Sequence, residues 1–267
     1  MARLSGNEIQ FTGSIKNLTA YTMRGHDGIV LRQKGGPSKL HIKKNKEFEI
    51  TRSLNNEWKA VCMASTDIRH GLDALKSLAD YNISGPLNAL VKKIQVEDIV
   101  NPKGKRSILF SRQPEFLSSF QYNRQTIFDS IIRQSFEVHI DKNSAVVDLT
   151  IPPLQSLINF FPNPKYAYFR IVLACTGLSD YTYLENSDDY SPLSLLSPAY
   201  TAQKTEWAVA KVSQPSSSIQ LTPKLEFRTG PDMIILAGAG IQYGMPGADG
   251  SIQPVPFSGA ARLLKGV

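Results

Sequence analysis

The sequence is poor in cysteine, with only Cys62 and Cys175, which lie far apart along the chain. Zinc ribbons and thiol redox motifs need paired cysteines at short spacing, so the sequence contains neither. We predict two buried free thiols, because an isolated cysteine packs as a small apolar residue. A disulfide between the two is the alternative.

Long apolar runs are also missing. The longest candidates, residues 171–178 and 233–241, have the length of strands, whereas a helix that crosses a bilayer needs about 20 apolar residues. We therefore predict no transmembrane segment. Residues 2–8 lack the apolar core of a secretory signal, so either there is no signal or a leader was removed before Met1, and the initiator Met favours the first interpretation.

The sequence contains no recognisable cofactor motif. Gly238-Ala239-Gly240 follows an apolar stretch, but Met245-Pro246-Gly247 prevents the helix that a dinucleotide-binding turn requires. We interpret the small residues as a strand segment against which another backbone packs closely.

Patterns for metal binding and catalysis are missing as well. The acidic pair Asp188-Asp189 lies in a polar loop, and no two histidines have a metal-binding spacing; the histidines are His26, His41, His70 and His139. We therefore predict no catalytic residue, no cofactor and no metal site, and a protein that is not an enzyme. An active site assembled from distant segments is the alternative.

Positive charge is concentrated in the first part of the chain. Residues 1–110 hold 18 Lys and Arg against 10 Asp and Glu, whereas the remaining 157 residues hold 12 against 13. Proline shows the opposite distribution, with 3 before residue 110 and 13 after it. Two regions of different chemistry are indicated, the second of them rich in turns.

The hydrophobic periodicity predicts an α+β chain with two domains, residues 1–104 and 105–267. The first has a β-hairpin within residues 9–34, a helix from about Glu47 whose apolar face includes Trp58, a second helix from Ser65-Thr66-Asp67 to Tyr81, and a short helix over 86–94. Residues 1–104 are therefore predicted as an N-terminal arm followed by a hairpin and a helical region.

The second domain is predicted as a mainly antiparallel, immunoglobulin-like β-sandwich, because short alternating segments recur between turns. Asp141-Lys142-Asn143 and Asp249-Gly250 indicate hairpins. The predicted strands cover 116–122, 135–140, 145–151, 166–176, 206–212, 219–227, 233–243 and 251–255. Residues 123–133 fit either a helix or an irregular crossover.

Both ends of the chain resemble an uncharacterised, multi-copy bacterial protein family. The residues that carry the resemblance are Gly13–Tyr21 with its Gly-x-Ile-x-Asn pattern, Arg24-Gly25, Arg32–Gly36 and, near the end, Ile234–Tyr243. The resemblance implies a bacterial origin, an N-terminal hairpin followed by a basic and helical segment, and a β-rich C-terminal domain. It implies no catalytic residues.

Residues 8–12 alternate apolar and polar side chains before Gly13, as a strand that pairs with a neighbouring sheet does. We predict a structural subunit that assembles head-to-tail with other copies of itself into a filament or fibre, such as a bacterial surface filament or a phage tail-like component. The localisation is not fixed by the sequence, and an extracellular filament or a phage particle is favoured. The residues predicted for the assembly arm are Ile9, Phe11, Ile15, Leu18 and Tyr21.

Two alternatives remain open. The basic segment 32–46 predicts an electrostatic contact with nucleic acid or with an acidic partner; its residues are Arg32, Lys34, Lys39, Lys43, Lys44 and Lys46. The tyrosines 181, 183 and 190 are consistent with a ligand-binding sandwich, or they pack between sheets.

Overall fold

The computed structural model describes residues 2–3, 12–23, 27–194, 200–222 and 230–267. The chain divides into two compact units, Met1–Arg52 and Ser53–Val267. The division therefore falls after Arg52, whereas the sequence analysis places a boundary near residue 104.

The N-terminal unit contains a small antiparallel sheet in the order β1-β4-β3-β2. Its strands are β1 (Ala2–Arg3), β2 (Gly13–Ile15), β3 (Leu18–Thr22) and β4 (Ile29–Gln33). The pairing of β3 with β4 confirms the predicted hairpin, although residues 24–26 of its turn lie outside the described residues. A second, tighter hairpin joins β2 to β3, because Lys16 adopts a φ of 50° that reverses the chain within two residues.

Helices follow the sheet. They are α1 (Lys39–Lys44), α2 (Glu49–Gly71), α3 (Asp73–Lys76), α4 (Ser84–Val96) and, later in the chain, α5 (Phe128–Ile131). The predicted helix start at Ser65 is wrong, because α2 continues through it. Ser65 is buried inside α2, and the Thr66 hydroxyl donates to the Cys62 carbonyl one turn back, so neither side chain caps a new helix.

The described residues after α4 contain ten strands. They are β5 (Glu137–Asp141), β6 (Val146–Ile151), β7 (Tyr168–Ser179), β8 (Tyr181–Leu184), β9 (Asp189–Pro192), β10 (Tyr200–Lys204), β11 (Ala208–Val209), β12 (Ser217–Leu221), β13 (Met233–Pro246) and β14 (Ile252–Gly266). Within the described residues of this unit, they form a five-stranded, a three-stranded and a two-stranded sheet, all antiparallel.

The five-stranded sheet has the order β10-β7-β13-β14, with β11 also paired to β7. Its central strands are buried on both faces. Along β7, Leu173 and Cys175 belong to one hydrophobic core and Val172 and Ala174 to another. The first core is shared with the three-stranded sheet β12-β6-β5, and the second with α2, α3 and α4. The unit is therefore mixed helix and sheet, with helices on one face of the large sheet and strands on the other.

Both predicted hairpins of this region are confirmed, since β5 pairs with β6 and β13 with β14. The strand predicted over 116–122 is wrong: a 3-10 helix, Pro114–Phe116, is followed by turns and a single bridge at Gln121. Pro114 fixes φ at the first residue of that 3-10 helix. The ambiguous segment 123–133 contains the short helix α5.

Candidate functional site

One face of the small N-terminal sheet is apolar. Cross-strand partners place their side chains on the same face, and the pairs Ile15–Leu18, Ala20–Leu31 and Thr22–Ile29 therefore lie together. Ile15 is 55% exposed and Leu18 42% exposed, while Ile29 and Leu31 are half-buried. Among the described residues of this unit, only Ala20 and Val30 are buried. The sheet thus presents an apolar face without a core of its own.

The structure brings two of the five predicted arm residues onto this face, which we call the apolar sheet face: Ile15, Leu18, Ala20, Ile29 and Leu31. Tyr21 pairs with Val30 and lies on the opposite side of the sheet. Ile9 and Phe11 lie outside the described residues, so the pairing of residues 8–12 stays a prediction.

β2 is an edge strand of this sheet, and in the sequence it directly follows the predicted arm. It pairs with β3 on one side, and within the described residues no strand pairs with its other side. The opposite edge is partly closed, because Ala2 and Arg3 of the same chain pair with Leu31 and Val30. Unpaired N–H and C=O groups on an edge strand are able to accept another strand.

The cationic side chains of the basic segment are exposed. Its six predicted residues, Arg32, Lys34, Lys39, Lys43, Lys44 and Lys46, are all solvent-exposed. Lys34 donates to the Lys16 carbonyl at 3.2 Å. No described residue forms an ion pair with any of the six. Their charges therefore face solvent.

Local contacts fix the backbone that carries these lysines. The Ser38 hydroxyl accepts from the His41 N–H at 3.2 Å and starts α1. The Arg52 side chain caps the C-terminal end of α1, where it donates to the carbonyls of Ile42 at 2.7 Å and Asn45 at 2.8 Å. Those carbonyls belong to the last turn of α1 and its cap, where a cation is favourable. The lysines of α1 are thus displayed on a structured element.

Two buried carboxylates of the second unit, those of Glu57 and Asp98, are held in hydrogen-bond networks. Burial raises the pKa of Glu57, but hydrogen bonds from Lys92, Gly104 N–H and Arg106 N–H outweigh it and hold that pKa below the usual 4.5. The Lys92 ammonium and the Gly104 N–H each lie 2.7 Å from the carboxylate. Asp98 is held similarly, accepting from Ser107 N–H at 2.7 Å. These carboxylates tie α2 and the end of α4 to the 98–107 loop.

The other residues considered from the sequence occupy structural positions. Tyr181 and Tyr190 are buried in the helix-side core and Tyr183 packs against it, so they form no exposed ligand platform. Asp188 accepts from the Tyr183 hydroxyl at 2.7 Å, and Asp189 pairs with Lys59.

The cysteines and the glycines of β13 also occupy structural positions. Cys62 and Cys175 are both free, as predicted, but only Cys175 is buried and Cys62 is half-buried. Burial raises the pKa of Cys175 to about 12. Gly238 and Gly240 lie within β13, where added Cβ atoms would collide with Leu75 of α3 and with Leu78, which follows α3. The small residues therefore allow the helices to approach the sheet.

The described residues contain neither a metal-binding cluster nor a membrane-spanning helix. No three His, Cys, Asp or Glu side chains in the described part of the chain are close enough to hold a metal ion. His26 lies outside that part. Among the described helices, none combines the length and the apolar character that crossing a membrane requires.

Comparison with known proteins adds no relative. No protein-family model, curated protein or solved structure matches the chain. The resemblance to a bacterial family stays a prediction.

Sequence reasoning missed one feature of the second unit, an open cleft of about 420 Å³. Its lining comes from five separated stretches: Asp80, residues 125–131, residues 161–166, Tyr243 and residues 257–259. No local motif marks such a site, because its residues meet only through the fold.

Proposed function

We propose that this chain is a non-enzymatic structural subunit that assembles head-to-tail with other copies of itself into a filament or fibre. The apolar sheet face carries the proposal. A segment of about 50 residues buries too little surface to be stable without further contacts, and exposed apolar patches mark interaction sites.

The occupant that we propose is the segment 8–12 of another copy. Ile9 and Phe11 directly precede β2 in the sequence and alternate with polar residues. A strand added to the free edge of β2 would satisfy that edge by main-chain hydrogen bonds, and its alternate side chains would extend the apolar sheet face. A contact between an arm and a different surface of the next copy is heterologous, so it propagates unless its rotation closes a ring.

We extend the proposal to the location of the protein and to the fold of its second unit. A bacterial surface filament or a phage tail-like component, and hence an extracellular or particle location, is the setting that we propose for such a subunit. The immunoglobulin-like plan of the second unit also stays a proposal. It is supported by the antiparallel three- and five-stranded sheets that share one hydrophobic core.

The experiment is electron microscopy and sedimentation velocity of the full chain over a range of concentrations and salt strengths. We expect filaments or concentration-dependent oligomers. Leu18→Thr makes the apolar sheet face polar while keeping a strand-forming residue, and it should shift association to at least about tenfold higher concentration, a change of about 1.4 kcal/mol.

Ile158→Thr is the control, because Ile158 is an aliphatic residue of the same size in the second unit and is even more exposed than Leu18, 71% against 42%. It should associate like the wild type. Phe11→Thr tests the arm itself. A chain that stays monomeric at every concentration, or a Leu18→Thr variant that assembles normally, would contradict the proposal.

A second candidate function is binding of nucleic acid or another polyanion by the basic segment. The observation that favours it is the exposure of all six cationic side chains without ion-pair partners among the described residues. Residues 1–52 contain ten Lys and Arg against four Asp and Glu, so this unit holds +6 of the net charge of +7. Contacts of this kind are independent of sequence and sensitive to salt.

Fluorescence anisotropy with a labelled DNA duplex, measured over a series of salt concentrations, tests this candidate. If it is correct, log K falls with log salt with a slope of about −0.9 for each phosphate contacted, and Lys43→Glu with Lys44→Glu abolishes binding. Lys204→Glu with Lys211→Glu, which changes exposed lysines of the second unit, is the control. Affinity that does not respond to salt excludes this mode of binding.

A further inference from the structure

Phe257 has an unusual backbone conformation and an unusual exposure. Its φ is 53°, in the left-handed region that a bulky side chain rarely adopts, and its side chain is 78% exposed. It lies in an irregular stretch of β14. The pairs Gln242–Gly259 and Gly244–Pro254 flank this stretch, so four residues of β14 lie opposite Tyr243 alone.

Packing within the chain does not explain this conformation, because the ring gains little burial from it. Strained residues of this kind concentrate at binding sites, where surrounding structure holds them. Phe257 lines the cleft of about 420 Å³ together with two other aromatic residues at its surface, Phe161 and Tyr166, both half-buried. The volume lies within the range of small-molecule sites, about 300–1,000 Å³.

The aromatic wall of the cleft is held in place by hydrogen bonding and stacking. The Tyr243 hydroxyl accepts from the Asn163 N–H at 3.0 Å. The ring of Tyr243 stacks on that of Tyr166, with centroids 5.0 Å apart and an interplanar angle of 25°. These contacts fix the 161–166 loop against β13.

The opposite wall is fixed as well. The Asp80 carboxylate accepts from the N–H groups of Arg124 at 3.0 Å and Gln125 at 2.9 Å. Buried Asn123 donates to the carbonyl of Gly259 at 3.1 Å, which connects this wall to the strand that carries Phe257. The cleft is therefore preformed, which lowers the entropy lost when a ligand binds.

The chemistry of the lining selects a class of ligand. No Lys or Arg lines the cleft, and the carboxylate of Asp80 is engaged by backbone N–H groups. The Phe161 ring already lies against the Arg133 guanidinium, 4.0 Å from its centroid, and the Tyr166 ring stacks on Tyr243. What remains is the exposed face of Phe257 together with amide and hydroxyl groups, among them the amide of Gln125 and the hydroxyl of Thr126, which have no partner among the described residues. A ligand that suits this set is neutral, has an apolar face, and carries hydroxyl groups around its edge.

We propose that this cleft binds a neutral saccharide. The C–H face of a pyranose ring stacks on Phe257, since the electron-rich aromatic face attracts polarised C–H groups. The sugar hydroxyls bond to Gln125 and Thr126, each of which both donates and accepts. The proposal concerns a different surface from the apolar sheet face and does not depend on assembly.

The test is a screen of the full chain against neutral oligosaccharides of glucose, galactose, mannose and N-acetylglucosamine, in α and β linkages. Saturation-transfer NMR detects binding and calorimetry measures it. We expect at least one of these probes to bind with a Kd of about 1 mM or tighter. Phe257→Ala should weaken it at least about fivefold, and Thr126→Val, which is close in shape, at least about threefold.

Leu157→Ala is the matched control. Leu157 also has a positive φ of 66° and is 80% exposed, but it does not line the cleft. This variant should bind like the wild type. Thr126→Val keeps the test decisive if Phe257→Ala folds poorly.

Three outcomes would overturn the proposal. The first is that no saccharide in the panel binds at millimolar concentration. The second is that binding occurs but Thr126→Val and Phe257→Ala leave the Kd unchanged. The third is that a decaproline peptide, included because aromatic grooves also take proline-rich segments, binds the cleft while the saccharides do not.

Discussion

Glu57 illustrates how single residues determine the packing of the second unit. Its carboxylate is almost completely buried on the inner side of α2, yet every hydrogen bond that it accepts comes from a defined partner: Lys92, Gly104 N–H and Arg106 N–H. A buried charge is tolerated only when it is paired in this way. The close approach of Gly259 to β13 is a second example, since that glycine has no room for a side chain.

Glu57→Gln should make the free energy of unfolding less dependent on pH in the acidic range. The folded-state pKa of Glu57 lies below its usual 4.5, so the ionised carboxylate stabilises the fold above that pH, and this contribution is lost as the pH falls through the folded-state pKa. Replacing it with Gln removes the charge-assisted bond to Lys92 and should cost about 2 kcal/mol at neutral pH.

The measurement is urea unfolding of both chains between pH 7 and pH 3. The free energy of unfolding of the wild type should approach that of the variant as the pH falls. A difference between the two that stays constant over this range would contradict the assigned pKa.

Gly259→Ala should destabilise the chain by about 3 kcal/mol. An added Cβ would lie well inside van der Waals contact with the carbonyl oxygen of Ile241, and a backbone atom in a central sheet does not move aside easily. Thermal unfolding measures the effect. Gly85→Ala is the control, because no atom lies within 4 Å of its added Cβ and alanine favours its helix by up to about 1 kcal/mol.

At the scale of elements, α2 shows how one helix joins the sheet and the other helices. Its buried positions recur at spacings of three and four residues; they are Glu57, Ala60, Val61, Ala64, Ser65, Ile68 and Gly71. Small residues among them let α2 approach β7, where the Cβ of a residue at position 71 would collide with Thr176. The stability of this helix therefore comes from tertiary packing rather than from propensity.

Ile68→Ala should destabilise the chain by about 3 kcal/mol, because it removes buried methyl groups and leaves a cavity in the helix-side core. Ile50→Ala offers the same chemical change in the same helix, at a position that is 72% exposed. Its free energy of unfolding should differ from that of the wild type by less than about 0.5 kcal/mol. Equal effects of the two substitutions would contradict the burial of this face.

At the scale of the whole molecule, the helices from Ser53 onward and the later strands belong to one compact unit. The core beneath α2, α3 and α4 includes Val172, Leu178, Ile234 and Leu236 from β7 and β13. Without the helices, this face of the large sheet would be exposed to water. The division predicted near residue 104 would cut through that core.

A fragment of residues 105–267 should therefore fail to fold cooperatively, whereas a fragment of residues 53–267 should fold. Near-UV circular dichroism and urea unfolding distinguish the two results. Cooperative unfolding of the 105–267 fragment would instead support the boundary near residue 104.

Several elements could be predicted from the sequence because local interactions form them. Asp249-Gly250 closes its hairpin by its own backbone preferences. The helical periodicity from Glu47 onward marked α2, but its buried side was misplaced: Trp58, expected on the apolar face, is 48% exposed, and the neighbouring Glu57 is buried instead. The partners that make this burial possible lie 35 to 49 residues away.

Sequence alone determined the mixed α and β composition, the main hairpins and the concentration of positive charge, since these depend on residues close together along the chain. Tertiary structure decided which strands became central, which face of α2 turned inward, and that Phe257 shares a cleft with Phe161 and Tyr166. Those outcomes depend on burial and hydrogen bonding between distant segments, and such contacts exist only after the chain has folded.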